Sequence, residues 1–243
     1  MCIWQGGGSV ARQAITVSGY TLWQDDRFFK LGQDTVLLSA FASLRPGERA
    51  LDLGAGAGFV GLLTLLRNPG TVEGWELNPD CAALANENYA ACGLQDRGAV
   101  ICADLRNARV QRTYDVCLSN PPYFEPHRGK IVAGEALANA RCQKTAGIDD
   151  ICAAVRRAVR SGGRFYVCWK PEQAAELFAA CRKNGLTPKR MQLVHQRADK
   201  PANLLLLEAR RDGGAGLTID PPLILEDPQG NKTAAWHAAY DRI

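Results

Sequence analysis

Apolar residues follow two different spacings along this chain. Short continuous apolar runs are typical of buried strands, and most are followed by a longer segment in which apolar residues recur at the spacing of a helix face. Glycine, proline and asparagine stand between these segments, where elements end. The pattern predicts strands at 49–53, 71–77, 99–103, 114–119, 164–169, 190–195 and 203–209, and helices at 59–66, 79–92, 148–160 and 171–184.

The order of these elements predicts an α/β fold. Strands that alternate with helices form a parallel sheet with helices on both faces. The last two strands have no helix between them, so we expect them to pair antiparallel, which gives a seven-stranded, mostly parallel sheet with one antiparallel strand. Right-handed crossovers place the carboxyl ends of the parallel strands on one edge, where a ligand crevice is expected. Residues 125–139 and 210–233 are expected to be loops.

The chain before the first strand of this sheet has a different pattern. Residues 13–24 predict a β-hairpin that turns at Ser18-Gly19. Asp34 is the expected N-cap of a short helix that follows. We therefore divide the chain into an N-terminal hairpin and helix extension, residues 1–48, and a larger domain, residues 49–243.

Composition excludes several classes of protein. The chain has 243 residues, 47% of them hydrophobic and 22% charged, which is ordinary for a globular protein. Nine cysteines without Cys-x-x-Cys spacing and three distant histidines argue against a metal site and a disulfide framework, and indicate reduced thiols in a cytoplasmic protein. No apolar run is long enough for a membrane span. The net charge of +4 is weak evidence for a nucleic-acid partner, and the oligomeric state stays open.

A glycine-rich turn, Asp52-Leu-Gly-Ala-Gly-Ala-Gly58, follows the first strand of the predicted sheet. Residues 56–61 formally match the dinucleotide pattern G-x-G-x-x-G. A carboxylate two positions before the first glycine would repel a pyrophosphate but attract an ammonium group. The turn therefore favours S-adenosylmethionine over NAD, with Asp52, Gly54, Gly56 and Gly58 as cofactor-binding residues; a tight turn without a ligand is the alternative.

Acidic residues also follow the next two strands. Glu76 lies about 20 residues after the glycine turn, where a carboxylate suits the hydroxyl groups of a ribose. Leu77 and Asn78 are expected to flank an adenine, and Asp104 is expected to accept from its amino group. The alternative for both acids is a solvated side chain at a strand end.

Asn120-Pro121-Pro122-Tyr123 follows the strand at 114–119. The amino nitrogen of a base or amide is a poor nucleophile because its lone pair is delocalised. Asn120 Oδ1 and the carbonyl of Pro121 could accept hydrogen bonds from its two N–H groups and direct the lone pair at a methyl group. The prolines restrict the backbone, and Tyr123 could stack on the ring. A proline-rich turn or a WW-domain ligand is the alternative.

These two motifs together resemble the class I methyltransferases that act on amino nitrogens. Further segments resemble the bacterial tRNA(Val) adenine-37 N6-methyltransferase family: 29–38, 140–141, 195–201, 217–225 and 230–233. The resemblance implies a Rossmann-like class I methyltransferase fold and S-adenosylmethionine as cofactor. It implies N6-methylation of an adenine in RNA, A37 of a valine tRNA, with Asn120, Pro121, Pro122 and Tyr123 as catalytic residues. It also places Asp34 and Asn120 among the cofactor-binding residues.

Other acceptors remain alternatives. Enzymes that methylate a glutamine of peptide release factors at N5 share Asn-Pro-Pro-Tyr but have a longer helical N-terminal domain than the roughly 48 residues here. Methylation of DNA adenine or of guanine N2 in rRNA is a further alternative. The intact Asn120 and Asp52 argue against an RNA-binding protein without activity. RNA would require cations beside the site, for which the candidates are Arg27, Lys30, Arg128, Lys130, Arg141, Lys144 and the basic residues between 181 and 200.

Overall fold

The computed structural model describes residues 12–107, 113–121 and 146–240. Its strands are β1 (Arg12–Val17), β2 (Tyr20–Asp25), β3 (Arg49–Leu53), β4 (Thr71–Glu76), β5 (Gly98–Cys102), β6 (Tyr114–Ser119), β7 (Val159–Trp169), β8 (Leu186–Arg197), β9 (Ala202–Arg211), β10 (Thr218–Ile219) and β11 (Leu223–Glu226). Its helices are α1 (Gln33–Phe41), α2 (Phe59–Arg67), α3 (Pro79–Ala91), α4 (Ile148–Ala158), α5 (Ala174–Lys183) and α6 (Ala234–Tyr240).

The central sheet contains the seven predicted strands, β3 to β9, in a mostly parallel arrangement, and two further strands, β10 and β11, that were not predicted. Its strand order is β10-β8-β9-β7-β6-β3-β4-β5, and β11 also pairs with β8. β9 runs antiparallel to both of its neighbours, whereas β3, β4, β5, β6 and β7 are parallel. The chain moves outward from β3 to β5 and then returns to place β6 on the other side of β3. The strand order therefore reverses between β3 and β6, and an α/β sheet binds its ligands at such a point.

Helices cover both faces of the sheet, as predicted. One buried cluster joins residues of α1, α2 and α3 to one face, and a second joins α4 and α5 to the other. The alternation along β3 shows how the faces are divided: Leu51 and Leu53 belong to the second cluster, whereas Ala50 belongs to the first. The carboxylate of Asp52, between them, accepts from an amide of α2.

The N-terminal hairpin turns at Ser18-Gly19, as predicted, with both residues at positive φ. It is fixed to α3 by Asn88, which is fully buried. The Asn88 side chain accepts from the Trp23 amide at 2.8 Å and donates to the Trp23 carbonyl at 3.0 Å. A buried amide that meets both backbone groups of one residue orients the hairpin against the larger fold. The domain boundary at residue 48 stays a prediction.

Several predicted element ends are wrong. Asp34 is not an N-cap: α1 begins at Gln33 after an extended Gly32, and Asp34 lies in the first turn, where a negative charge favours the helix dipole. Residues 159–163 belong to β7 and not to a helix end, because the six residues of β7 from Val159 to Arg164 lie opposite the three residues of β6 from Tyr114 to Val116 and form a bulge. The helix expected at 171–184 starts as a 3-10 turn, Pro171–Gln173.

The segment 210–233 is not all loop. β10 and β11 add to the outer edge of β8 as parallel strands, and α6 follows. Leu223, Ile224 and Leu225 form an apolar run. A run this short does not distinguish a strand of four residues from a loop, so the sequence did not predict β11. The loop expected at 125–139 lies outside the described residues.

Candidate functional site

The two sequence motifs meet where the strand order reverses. Asp52 of β3 is the register partner of Leu118 of β6. The hydroxyl of Ser119 donates to the carbonyl of Leu53 at 2.9 Å, which ties the two strand ends together. The glycine turn after β3 and Asn120 after β6 therefore stand side by side at the carboxyl edge of the sheet.

The glycines of the turn have two different functions in the fold. Gly54, Gly56 and Gly58 all have positive φ, at 70°, 55° and 81°. A Cβ atom at Gly54 or Gly56 would meet nothing within 4 Å among the described residues, so their bare backbone borders open space. A Cβ at Gly58 would lie 3.0 Å from the Cβ of Ala85 in α3, so Gly58 allows close packing of the helices. Gly58 borders neither cavity described below, and its contact with a cofactor stays a prediction.

Two neighbouring cavities open along this edge. The larger, of about 700 Å³, is bordered by the ends of β3, β4, β5 and by α4. The smaller, of about 280 Å³, lies between the glycine turn, the start of α1 and Asn120. Phe29, Gly54 and Pro121 border both. Their combined size and their position suit an elongated ligand that lies across the glycine turn.

Glu76 connects the glycine turn to the larger cavity. Its Oε2 accepts from the amide of Gly56 at 2.9 Å, and its Oε1 accepts from the amide of Asn78 at 2.8 Å. Each carboxylate oxygen retains a second lone pair for a ligand hydroxyl. Asn78 in turn caps α3 through its side chain, which accepts from the amides of Asp80 and Cys81. Glu76 is thus held at the cavity wall by the elements on either side of it.

Leu77 and Asp104 both border the larger cavity. Leu77 is about half exposed and presents an apolar surface. The Asp104 carboxylate accepts from the amide and guanidinium of Arg106, with a shortest distance of 2.7 Å. The Arg106 guanidinium lowers the pKa of Asp104. Asp104 is therefore a fixed carboxylate at the cavity wall; its bond to an adenine stays a prediction.

Asp52 lies beneath the glycine turn and borders neither cavity. It is 1% exposed, and its Oδ2 accepts from the amide of Gly61 at 3.0 Å. Its Oδ1 and the hydroxyl of Tyr89 are buried without a hydrogen-bond partner among the described residues. Burial raises the pKa of Asp52 from 3.8 to about 7; the Gly61 hydrogen bond opposes the rise and the charge of Glu76 adds to it. The direct attraction of a cofactor ammonium to Asp52 stays a prediction.

The raised pKa of Asp52 makes stability depend on pH. Between about pH 4 and pH 7 the folded protein keeps a proton that the unfolded chain releases, so the free energy of unfolding falls as pH rises through this window. Asp52→Asn removes this titration, and its free energy of unfolding should fall less than that of the wild type between pH 5 and pH 8. Urea unfolding at both pH values measures the difference; equal losses in the two proteins would contradict the assignment.

Asn120 is held by two side chains from other elements. Its Nδ2 donates to the Thr35 hydroxyl of α1 at 3.0 Å, and its Oδ1 accepts from the Cys168 thiol of β7 at 3.0 Å. Asn120 and the buried Pro121 both border the smaller cavity. Asp34 borders the same cavity. Pro122 and Tyr123 lie outside the described residues, and their predicted roles stay predictions.

Most of the described basic residues between 181 and 200 already have partners. Lys183 pairs with Asp149, Arg197 pairs with Asp199, and the Lys189 ammonium donates to two backbone carbonyls. Arg190 lies between Glu208 and Asp220. At the cavity mouth, Arg27 pairs with Asp25 and Lys30 with Asp26. Arg128, Lys130, Arg141 and Lys144 lie outside the described residues.

Sequence reasoning missed several residues of the site, among them Thr35, whose hydroxyl accepts from Asn120. Phe29 is 75% exposed and borders both cavities, and Arg106 borders the larger one. An exposed aromatic residue cannot be separated from a core residue by sequence alone. Cys168 occurs in the predicted strand 164–169 without a motif around it, and only the pairing of β6 with β7 brings it to Asn120.

The described residues contain neither a membrane-spanning helix nor a cluster of metal-binding side chains. No helix in ranges 12–107, 113–121 and 146–240 has the length and apolar character required to cross a membrane. Within the same ranges, histidine, cysteine and acidic side chains do not gather in groups of three that could hold a metal ion.

The sequence is similar to known methyltransferases over most of its length. The family model of the methyltransferase small domain matches residues 32–178. A tRNA1(Val) (adenine(37)-N6)-methyltransferase from Dickeya chrysanthemi is 32% identical over 209 residues, which cover 82% of each chain. A protein with the same name from Aeromonas hydrophila is 32% identical and covers 80% of this chain and 84% of its own.

Solved structures with the same fold are also methyltransferases. A predicted O-methyltransferase from Agrobacterium tumefaciens aligns with a TM-score of 0.72 at 22% identity, covering 86% of this chain and 96% of its own. A geranyl diphosphate C-methyltransferase from Streptomyces coelicolor, crystallised with S-adenosyl-L-homocysteine, aligns with a TM-score of 0.54 at 14% identity, covering 74% of this chain and 77% of its own. At these identities the likeness shows the fold.

Proposed function

The chain belongs to the methyltransferase small domain family and, within it, to the family of the tRNA1(Val) (adenine(37)-N6)-methyltransferases, and on that premise we propose that it transfers a methyl group from S-adenosylmethionine to N6 of adenine 37 in a valine tRNA. The observation that carries this proposal is the meeting of Asn120 with the glycine turn at the point where the strand order reverses. A donor held over the turn and an acceptor held by Asn120 would be neighbours.

The described residues fit the cofactor. The open backbone at Gly54 and Gly56 leaves room for a ligand to lie close to the turn. Glu76 offers carboxylate oxygens where ribose hydroxyls would lie, and Leu77 and Asp104 border the space for an adenine. The smaller cavity, beside Asp34 and Asn120, suits the methionine part. S-adenosylmethionine supplies a methyl group on a positively charged sulfur, which is already activated for transfer.

Asn120 and Pro121 act on the acceptor nitrogen. Oδ1 of Asn120 accepts one N–H of the adenine amino group, and the Pro121 carbonyl accepts the other. The two acceptors favour a pyramidal nitrogen, whose lone pair then points at the methyl group. Because the acceptors are fixed before the substrate arrives, they need little reorganisation in the transition state. The transferred methyl group replaces one N–H bond, and the proton leaves the nitrogen for solvent.

A tRNA acceptor agrees with the surroundings of the cavities. Lys30 and the exposed Phe29 border the smaller cavity, and Arg27 lies 3.7 Å from the carboxylate of Asp80, which borders the larger one; these side chains could contact phosphates and a base. Lys30 and its partner Asp26 are both about half exposed, so Lys30 can exchange this carboxylate for a phosphate at small cost. Arg27 pairs with the buried Asp25 and keeps that partner. A tRNA substrate also agrees with the cytoplasmic location expected from the sequence. The relatives named for tRNA favour this acceptor over release-factor glutamine.

Binding of tRNA should fall steeply as salt rises, because each neutralised phosphate releases counterions. Lys30→Ala should lower the slope of log affinity against log salt by about one. Lys232→Ala is the matched control, because its ammonium also pairs with a single carboxylate, that of Glu226 at 2.7 Å, but lies in the C-terminal part of the chain. Fluorescence anisotropy with labelled tRNA measures the slopes. A flat salt response would contradict a surface that contacts phosphates.

The choice of acceptor is tested by competition. The enzyme is incubated with radiolabelled S-adenosylmethionine, total tRNA and a peptide release factor in one tube. We expect label in the tRNA fraction, in N6-methyladenosine after digestion. Label in a release-factor glutamine, with none in tRNA, would overturn the proposed acceptor and favour the alternative enzyme class.

A further inference from the structure

Asn120 carries an amide whose two ends are nearly equal in shape but opposite in chemistry. Its oxygen accepts hydrogen bonds and its nitrogen donates them. If the amide turned over, a donor would face the N–H groups of the acceptor. The orientation of an Asn side chain is set by its hydrogen-bond partners. The partners of Asn120 therefore decide where its acceptor oxygen is held.

Two side chains from elements other than β6 form hydrogen bonds with this amide. Thr35 lies on α1, which packs against the sheet, and Cys168 lies on β7, the strand next to β6. Nδ2 donates to the Thr35 hydroxyl at 3.0 Å, and Oδ1 accepts from the Cys168 thiol at 3.0 Å. A carbonyl oxygen has two lone pairs, so Oδ1 keeps one for a substrate.

The burial of Cys168 and Thr35 shows which of the two side chains can contact a ligand in the cavities. Cys168 is 0% exposed and borders neither cavity, so it does not touch a ligand there. Thr35 is 6% exposed and borders the smaller cavity beside Asn120. A change at Cys168 therefore acts on the reaction indirectly, and Asn120, which borders the smaller cavity, is a described contact through which it can act.

We propose that Cys168 and Thr35 are positioning residues that hold the side-chain amide of Asn120 in place at the edge of the smaller cavity. This inference rests on the proposed function, because it assigns the orientation of a side chain that acts in the reaction. The sequence predicts that the cysteines are small core residues. Cys168 has the further function of positioning Asn120.

The test compares Cys168→Ala, Cys168→Ser and a control, Cys181→Ala. Cys181 is a matched control because it is also 0% exposed and its thiol also contacts a side chain, that of Cys152 at 4.0 Å, but it lies on α5. For Cys168→Ala we expect kcat to fall roughly fivefold, the size of effect that loss of one hydrogen bond gives. KM for tRNA and the Kd of S-adenosylmethionine should stay unchanged. Cys168→Ser keeps a hydroxyl donor and should restore kcat.

Thr35→Val and Thr35→Ser form a second pair, which keeps the test valid if Cys168→Ala does not fold. Loss of the hydroxyl removes the partner of the part-buried Asn120 N–H, so kcat should fall roughly tenfold in Thr35→Val and return in Thr35→Ser. If Cys168→Ala and Thr35→Val keep the kcat of Cys181→Ala, the positioning assignment is overturned. That result differs from failure of the proposed function, in which Asn120→Ala itself would keep its activity.

Discussion

Asn120→Ala should lower kcat for tRNA methylation by about 10³-fold, the scale on which loss of one preorganised hydrogen-bonding group acts. The affinity for S-adenosylmethionine should stay close to that of the wild type. Asn120 borders the cavity assigned to the methionine part, but the glycine turn, Glu76 and Asp104 would hold the cofactor from other strand ends, so the loss of one contact should change its affinity little. Single-turnover kinetics measure the loss, and calorimetry measures cofactor affinity.

A conservative variant separates the acceptor function from the shape of the side chain. Asn120→Asp keeps an acceptor oxygen but cannot donate to Thr35, so it should retain more activity than Asn120→Ala. Loss of cofactor affinity in Asn120→Ala would show that Asn120 supports the cofactor and would contradict its assigned role. Equal activity of the Ala and Asp variants would contradict the acceptor function.

Glu76→Ala should raise the Kd of S-adenosylmethionine about 100-fold, which corresponds to about 2.7 kcal/mol. The carboxylate accepts from the amides of Gly56 and Asn78 and borders the larger cavity, so its loss removes both a support of the glycine turn and a ligand for the ribose. Hydrogen bonds to charged groups contribute about 1.5–3 kcal/mol each, which is enough for the expected change.

Glu73→Ala is the matched control for Glu76→Ala. Glu73 lies on the same strand and accepts from the indole nitrogen of Trp75 at 2.8 Å, but it does not border either cavity. Its Kd for the cofactor should equal that of the wild type in calorimetry. An unchanged Kd in Glu76→Ala, or an equal rise in both variants, would contradict the assignment of the larger cavity to the cofactor.

The sheet could be predicted from the sequence because its signals are local and repeated. Strands 49–53 and 114–119 are bounded by turn residues, and their predicted limits equal those of β3 and β6. The bulge in β7 could not be predicted, because Ser161-Gly162-Gly163 is equally a signal for the end of a helix. Only the pairing with β6 decides between these two structures.

The strand ends that form the site could be predicted from the sequence. Most of the contacts between their side chains could not. Topology brings Asp52, Glu76, Asp104 and Asn120 to one edge without any knowledge of side-chain positions. The burial of Asp52 beneath the turn could not be predicted, because it depends on how closely α2 packs on β3 at Gly61. The partners of Asn120 come from α1 and β7, which are distant in sequence and carry no motif that links them.

The central claim is that this chain methylates N6 of adenine 37 in a valine tRNA. The most direct measurement treats unmodified valine tRNA with the enzyme and S-adenosylmethionine, digests it to oligonucleotides and locates the added methyl group by mass spectrometry. The proposal predicts N6-methyladenosine at position 37, absent when the Asn120→Ala variant is used. A methyl group at another nucleotide, or an unmodified tRNA beside a methylated release factor, would contradict it.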